Sequence, residues 1–502
     1  MSFSLLWRNE NDKEVSKLEA TLFNDLKITK LLESCFDNYS DVDEIQAIMK
    51  LVPSKETLLY RQGIFEDLLN DKEGLLDNLY YQLTDLVSRY ISLREAAENI
   101  KRRVFLIMYI YHYYGFLERT KEVLEKLNVK SEGLTGLITM IDNILSSVDT
   151  IQLRNEVTNY YNYITGHFEF NAEYHDGAPY FKVTFDKKSN LEDDLMEIVE
   201  GLNISLIKSP RQIMKKEVNP YFLYEISLKD KSAYEKIANF YENNHNNVTD
   251  LTYLVSEFKY LLSLKTMFIK VNKLGIPYCK VLVNDKNETF INDAYDVSLT
   301  VSKIEVIPND FFADDKENIS FVLGVNSGGK TCYLRSVGAN YVYFMTCGYM
   351  FAKEAKVYPV RYICTHFPNE ENYSFGEGRL RDEIKRLDAI KANFGPDSIA
   401  FLNETFSSTS EEKACVLTKQ LLNDIGTTQA KVMFVTHQYK IFEEIQDSRI
   451  GFYTPVVVEG ASNIRTHKIK KVEKKLLSYV DDILYKHGLT KAQLLERKKG
   501  NE

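Results

Sequence analysis

Nowhere in the 502 residues do two cysteines stand in a CxxC pair, and the eight histidines are scattered. Six cysteines at 35, 279, 332, 347, 364 and 415 therefore suggest neither a zinc site nor a disulfide framework, and are read as buried free thiols. Long apolar runs are missing too. The longest charge-free stretches, around Val104 to Leu117 and Val337 to Ala352, fall short of the roughly 20 residues that a membrane-spanning helix needs. Met1 to Glu10 has no basic segment leading into an apolar core with a small-residue cleavage site, so no secretory signal is expected. These absences point to the cytoplasm and to no membrane partner. Excess positive charge is also lacking, and a net charge of −9 argues against a surface coated for nucleic acid, although a local basic stripe could still engage phosphates.

Proline is absent from residue 54 to residue 178, which permits long helices. Leu79, Leu83, Leu86, Tyr90, Leu93, Ala97, Ile100, Val104 and Ile107 recur at alternating steps of four and three, the seam of one long helix that must lie against another. The best partner is the stretch from about Ser232 to Leu274, where Leu251, Val255, Phe258 and Leu262 share a face. Between them His167 to Phe185 alternates apolar and polar residues around Asp176 and Gly177, which predicts a β-hairpin. The simplest layout is a β-containing insertion, about 160–225, at the tip of a helical pair within region 1–285; a compact helical domain with a surface hairpin is the alternative. From about Phe290 short apolar strands alternate with helices, the clearest strands being Ile319 to Leu323, Ser398 to Leu402 and Lys431 to Val435. That pattern predicts a parallel sheet covered by helices over 286–462. The tail, 463–502, holds 11 Lys or Arg against five Asp or Glu from Arg465 onward, and reads as a solvated helical tail or dimer contact rather than a DNA-contacting element.

Gly324-Val325-Asn326-Ser327-Gly328-Gly329-Lys330-Thr331 satisfies GxxxxGK[ST]. Its glycines let backbone N–H groups wrap phosphate oxygens with no Cβ in the way. An apolar strand runs into the motif and a helical pattern follows it, with the positive end of the helix dipole facing the phosphates. Gly324, Asn326, Ser327, Gly328, Gly329, Lys330, Thr331 and Cys332 form the candidate nucleotide-binding set, Lys330 reaching the β and γ phosphates and Thr331 placing its hydroxyl on Mg²⁺. Ile399 to Glu404 has the form of a Walker B strand. Glu404 is the candidate to activate the attacking water, and Asn403 stands where an Asp is usual, so that Thr331 and Asn403 are the candidate metal ligands. An amide oxygen can reach a Mg²⁺-bound water but lacks the charge that helps to hold the ion. Thr436-His437, after the next strand, could place a phosphate-sensing imidazole.

In this order these elements resemble the MutS family of mismatch-repair and DNA-remodelling ATPases. The likeness is carried by Val306-Ile307-Pro308-Asn309-Asp310, by Gly324 through Thr331 with Tyr333-Leu334-Arg335, by Asn403-Glu404 with Ser408-Thr409-Ser410, and by Thr436-His437; Phe23 to Leu26 and Tyr60-Arg61-Gln62 resemble the start of that family's helical core. The resemblance implies a multidomain α and α/β protein. A helical core with long lever helices and a small clamp would precede an ABC-type P-loop ATPase domain with a parallel-rich sheet. It also implies ATP and Mg²⁺, a homodimer, and arms that close around DNA, selected by structure rather than sequence. By the same analogy Val306 and Asn309 would lie near the adenine, and the segment from Gly378 to Ile384 would complete a partner's site, with Gly378 where the family has a Ser and Arg379 or Arg381 as compensation. Too few residues precede the core for the family's Phe-x-Glu mismatch-reading domain, and Phe375-Gly376-Glu377 matches that motif by spelling only. No room is expected after the ATPase region for an Smr nuclease domain.

Two functions stay open. One is a homodimeric DNA-binding ATPase with Lys330, Thr331 and Glu404 as its chemical core and with Lys208, Arg211, Lys215 and Lys216 as backbone contacts. The other is an ATP-binding assembly switch with degenerate hydrolysis, suggested by Asn403 and Gly378. An SMC-like or transporter ATPase is disfavoured, because the long helices precede the P-loop and no LSGGQ-type sequence is present.

Overall fold

The computed structural model describes residues 3–9, 12, 17–95, 100–166, 169–175, 178–184, 235, 239, 251–324, 328–368, 379–438, 440, 444–445, 447–458 and 464–472. Asp176 and Gly177, the four basic positions Lys208, Arg211, Lys215 and Lys216, the loop residues Asn326 and Ser327, Phe375 through Gly378 and the tail beyond 472 lie outside the described residues. The chain divides into two compact units, Met1–Leu5 with Asp67–Lys259 and Leu6–Glu66 with Tyr260–Glu502.

The first unit is helical. Helices Leu75–Glu95, Ile100–Lys126, Glu132–Ser146 and Val148–Gly166 follow one another. Their starts are capped by short polar side chains, as orphan N–H groups require. Asp71 accepts from the amides of Leu75 and Leu76, at 3.0 and 2.8 Å, and Ser131 accepts from that of Leu134 at 3.2 Å. The seam differs from its sequence reading. Gln82 accepts from Arg119 and Glu73 pairs with Lys126, both at 3.1 Å, so the helices Leu75–Glu95 and Ile100–Lys126 lie antiparallel instead of forming one rod. Leu79, Leu83 and Leu86 are buried on the seam's first half. A heptad pattern records which residues face inward, and two helices folded back on each other satisfy it as well as one continuous helix. The expected partner face is present: Leu251, Leu254 and Phe258 line a small apolar cavity with Leu79, Leu83, Phe116 and Leu137. Strands β1 (Glu169–His175) and β2 (Ala178–Thr184) pair antiparallel as the expected hairpin, Glu169 opposite Thr184 and His175 opposite Ala178.

The second unit is α/β. Its small strands are β3 (Cys279–Lys280), β4 (Leu282–Val283), β5 (Thr289–Ala294), β6 (Asn309–Ala313), β8 (Tyr349–Met350) and β9 (Glu354–Val357). The main sheet holds β7 (Ile319–Leu323), β10 (Tyr362–His366), β11 (Ser398–Asn403), β12 (Lys431–Thr436), β13 (Ile450–Val458) and β14 (Ile464–Val472), in the order β10-β11-β12-β7-β13-β14. Neighbours from β10 to β13 run parallel and only β14 is antiparallel. Every residue of β7, β11 and β12 is buried, as strands covered on both faces must be. Phe321 and Phe434 stack across the β7–β12 pair with ring centroids 5.0 Å apart. Helix Lys330–Cys347 follows β7, Arg379–Lys391 follows β10, and Glu411–Gly426 links β11 to β12. Among the described residues no helix is long and apolar enough to cross a membrane.

Candidate functional site

Parallel register brings the chemistry together. Leu323, the last residue of β7, is opposite Thr436, the last of β12, and Val435 is opposite Asn403, the last of β11. Gly324, His437 and Glu404 therefore leave the sheet side by side at its carboxyl edge, where open α/β sheets hold their ligands.

The loop after β7 ends in Gly329, whose φ of 92° is left-handed and which caps helix Lys330–Cys347 without a side-chain hydrogen bond. The first-turn N–H groups are thus left without a capping side chain, which makes this end receptive to an anion. Lys330 opens the helix and is buried; its Nζ donates to the Gly324 carbonyl at 2.7 Å and stands 3.9 Å from the Glu404 carboxylate. Burial lowers the ammonium's pKa, and the Glu404 charge pulls it back up. Thr331 donates its hydroxyl proton to Asn403 Oδ1 at 3.1 Å. Glu404, with a left-handed φ of 49°, sends Oε2 to within 2.5 Å of His437 Nδ1. Lys330, Thr331, Asn403, Glu404 and His437, picked out from separate sequence fragments, form one contiguous cluster.

Others of the set sit differently. Gly328 is buried in the loop. Cys332 lies in the helix's first turn, where Asp296 and Arg335 supply the nearby charges. Val306 is half-buried ahead of β6. The Asn309 amide is committed to backbone: Nδ2 donates to the carbonyls of Ile307 and His467, at 3.3 and 3.2 Å, and Oδ1 accepts from the Ile469 amide at 2.7 Å. Asn309 thereby pins β14 beside β6.

Two residues at this edge were not foreseen. Pro455, at the irregularity in β13, packs so closely that a Cβ on Gly324 would lie 2.6 Å from its Cδ. His467, in β14 with a left-handed φ of 54°, lies against Gly329, where a Cβ would stand 3.3 Å from Nδ1. The β13–β14 hairpin thus forms a wall over both ends of the loop. Backbone strain at His467 was the relevant signal, and a sequence carries no trace of it.

A strand-loop-helix motif at the carboxyl edge of a parallel sheet, facing an Asn-Glu strand end, defines a nucleotide-loop type of α/β domain. The family pattern described as MutS domain V matches residues 320–477 of this chain. The DNA mismatch repair protein MutS of Aquifex pyrophilus is 22% identical over 492 residues, covering 98% of this chain and 52% of that protein. That of Finegoldia magna is 23% identical, covering 78% of this chain and 49% of its own length. A shorter match, 25% identical over 214 residues, is to MutS of Clostridium botulinum and covers 41% of this chain and 22% of that protein. The chain is a MutS-like protein, and it spans at most about half the length of these relatives.

Proposed function

We propose that this chain is an ATP-dependent DNA-binding protein of MutS type, in which binding and hydrolysis of ATP open and close helical arms on DNA, in mismatch repair or the processing of branched DNA. The observation that carries the reading is the cluster of Lys330, Thr331, Asn403, Glu404 and His437 at one sheet edge. The names of the relatives, DNA mismatch repair proteins, support the DNA part. In this reading 1–285 is the core and lever region with a clamp at about 160–225, 286–462 is the ATPase domain and 463–502 a dimer contact. The protein acts as a cytoplasmic homodimer that selects DNA by structure.

Lys330 supplies positive charge to the β and γ phosphates; its present bond to the Gly324 carbonyl is one that a phosphate oxygen replaces. Glu404 orients the attacking water, and His437 holds that carboxylate from its far oxygen. Thr331 and Asn403 fit Mg²⁺, since both offer oxygen to a cation that prefers oxygen ligands and takes few from protein. When bound, the ion neutralises phosphate charge. Asn403 is neutral, and that observation favours a second reading, an ATP-binding assembly switch with weak hydrolysis.

Equilibrium binding of Mg-ATP and single-turnover hydrolysis separate the two. Lys330→Ala is expected to lose nucleotide and Glu404→Gln to keep it while losing turnover. Equal, negligible turnover by wild type and Glu404→Gln favours the switch. A gel-shift panel of homoduplex, mismatched and branched DNA, with and without ATP, tests the remainder; no binding to any of them removes DNA from the account.

A further inference from the structure

Glu404 sits in a turn whose backbone is held under strain. Glu404 and Phe406 have left-handed φ of 49° and 64°, and among the described residues no other stretch of three holds two such non-glycine positions. Conformations of this kind cost of order 1–3 kcal/mol each and persist only where the surroundings over-determine them. The sheet supplies one tie, the Glu404 amide donating to the Val435 carbonyl at 2.8 Å. Thr405 Oγ1, fully buried, lies 3.2 Å from Nδ1 of the buried His366 at the end of β10. The strongest tie comes from helix Arg379–Lys391. There the Glu383 carboxylate accepts from the Phe406 amide at 2.7 Å with one oxygen and from the Ser408 hydroxyl at 3.0 Å with the other. Charge-assisted bonds of this kind are about twice as strong as neutral ones. Arg386, on the same helix, donates to the Phe367 carbonyl at 3.3 Å, which fastens the helix to the chain leaving β10.

We propose that Glu383 is a positioning residue: it clamps the strained turn 404–408 and so fixes the Glu404 carboxylate against Lys330 and His437. The inference rests on the reading of Glu404 as the residue that orients the attacking water. Glu383 touches neither Lys330 nor the loop. Its removal frees the turn to relax toward ordinary backbone, and the Glu404 carboxylate moves with it. Nucleotide binding, carried by Lys330 and the loop, stays. A displacement on the order of 1 Å at a reacting group costs about 100-fold in rate.

The test compares wild type, Glu383→Ala, Glu383→Gln and Ser408→Ala in steady-state ATP hydrolysis, and follows amide exchange of the peptide spanning 403–410 without nucleotide. Glu383→Ala is expected to lower kcat roughly 10- to 100-fold with KM within about threefold, and to lose exchange protection in 404–408 alone. Glu383→Gln, which keeps an oxygen for the Phe406 amide, recovers part of both. Ser408→Ala, which leaves the helix intact, shows a smaller loss in both and covers the case in which Glu383→Ala does not fold. A turn as protected in Glu383→Ala as in wild type overturns the clamp, and so does a rise in KM with kcat unchanged. Wild-type turnover no faster than that of Glu404→Gln removes the hydrolysis reading instead, and the exchange measurement tells that result from a failed clamp.

Discussion

Lys431 opens β12 and is wholly buried. Its ammonium bonds Asn287 Oδ1 and lies 5.0 Å from the centre of the Tyr358 ring. Burial pushes its pKa from 10.5 down to about 8, against the pull of Asp315 and Asp314. A lysine depressed in the folded state is protonated more readily when the chain unfolds. Stability is therefore penalised in full below pH 8, recovers between about 8 and 10.5, and is free of the penalty above that window. At 1.36 kcal/mol per unit the penalty is about 3 kcal/mol at pH 7 and falls to about 1.4 kcal/mol at pH 9.5. Lys431→Met removes it and gives up one hydrogen bond worth about 1 kcal/mol. The variant should thus be about 2 kcal/mol more stable than wild type at pH 7 and nearly level with it at pH 9.5. Urea unfolding followed by the fluorescence of Trp7 reads this directly, since Trp7 is the sole tryptophan and belongs to the same compact unit. A stability difference that stays constant between pH 7 and 9.5 would refute the reasoning.

Gly329→Ala forces a side chain into left-handed backbone beside His467; about 1–2 kcal/mol of strain should appear as a lower melting temperature and a weaker Kd for Mg-ATP, both read by thermal shift with and without nucleotide. His366 is buried and its pKa is pushed from 6.5 down to about 3, chiefly by burial. The unfolded chain binds the extra proton first, so stability should fall as pH drops below 6.5, with a limiting slope of about 1.4 kcal/mol per unit. His366→Asn is expected to flatten that part of the acid limb, and an unchanged slope in acid titration of unfolding counts against the assignment.

The loop and its helix were legible because glycine spacing and an apolar strand are local signals; Lys330 and Thr331 need only their neighbours to be recognised. Asn403, Glu404 and His437 were legible for a second reason: each directly follows or ends a buried run, and parallel register carries strand ends to one edge. The helical hairpin was not, since Leu79 to Ile107 repeats inward positions without recording where the chain reverses. Asn309 joins this second group. Its place in a motif gave no hint that its amide would be spent on β14, more than 150 residues away in the chain. Pro455 and His467 reach the loop by strand pairing across the same distance, and no local pattern encodes such an approach.

Because β14 closes the wall over Gly329, assembly of this edge has an order in time. A growing polypeptide that has passed Glu404 and His437 already owns the charged groups. The imidazole that borders the loop, and the amide of Ile469 that answers Asn309, emerge only some thirty residues later. A fragment stopped ahead of Ile464 would own the reacting side chains and lack half of the wall beside them.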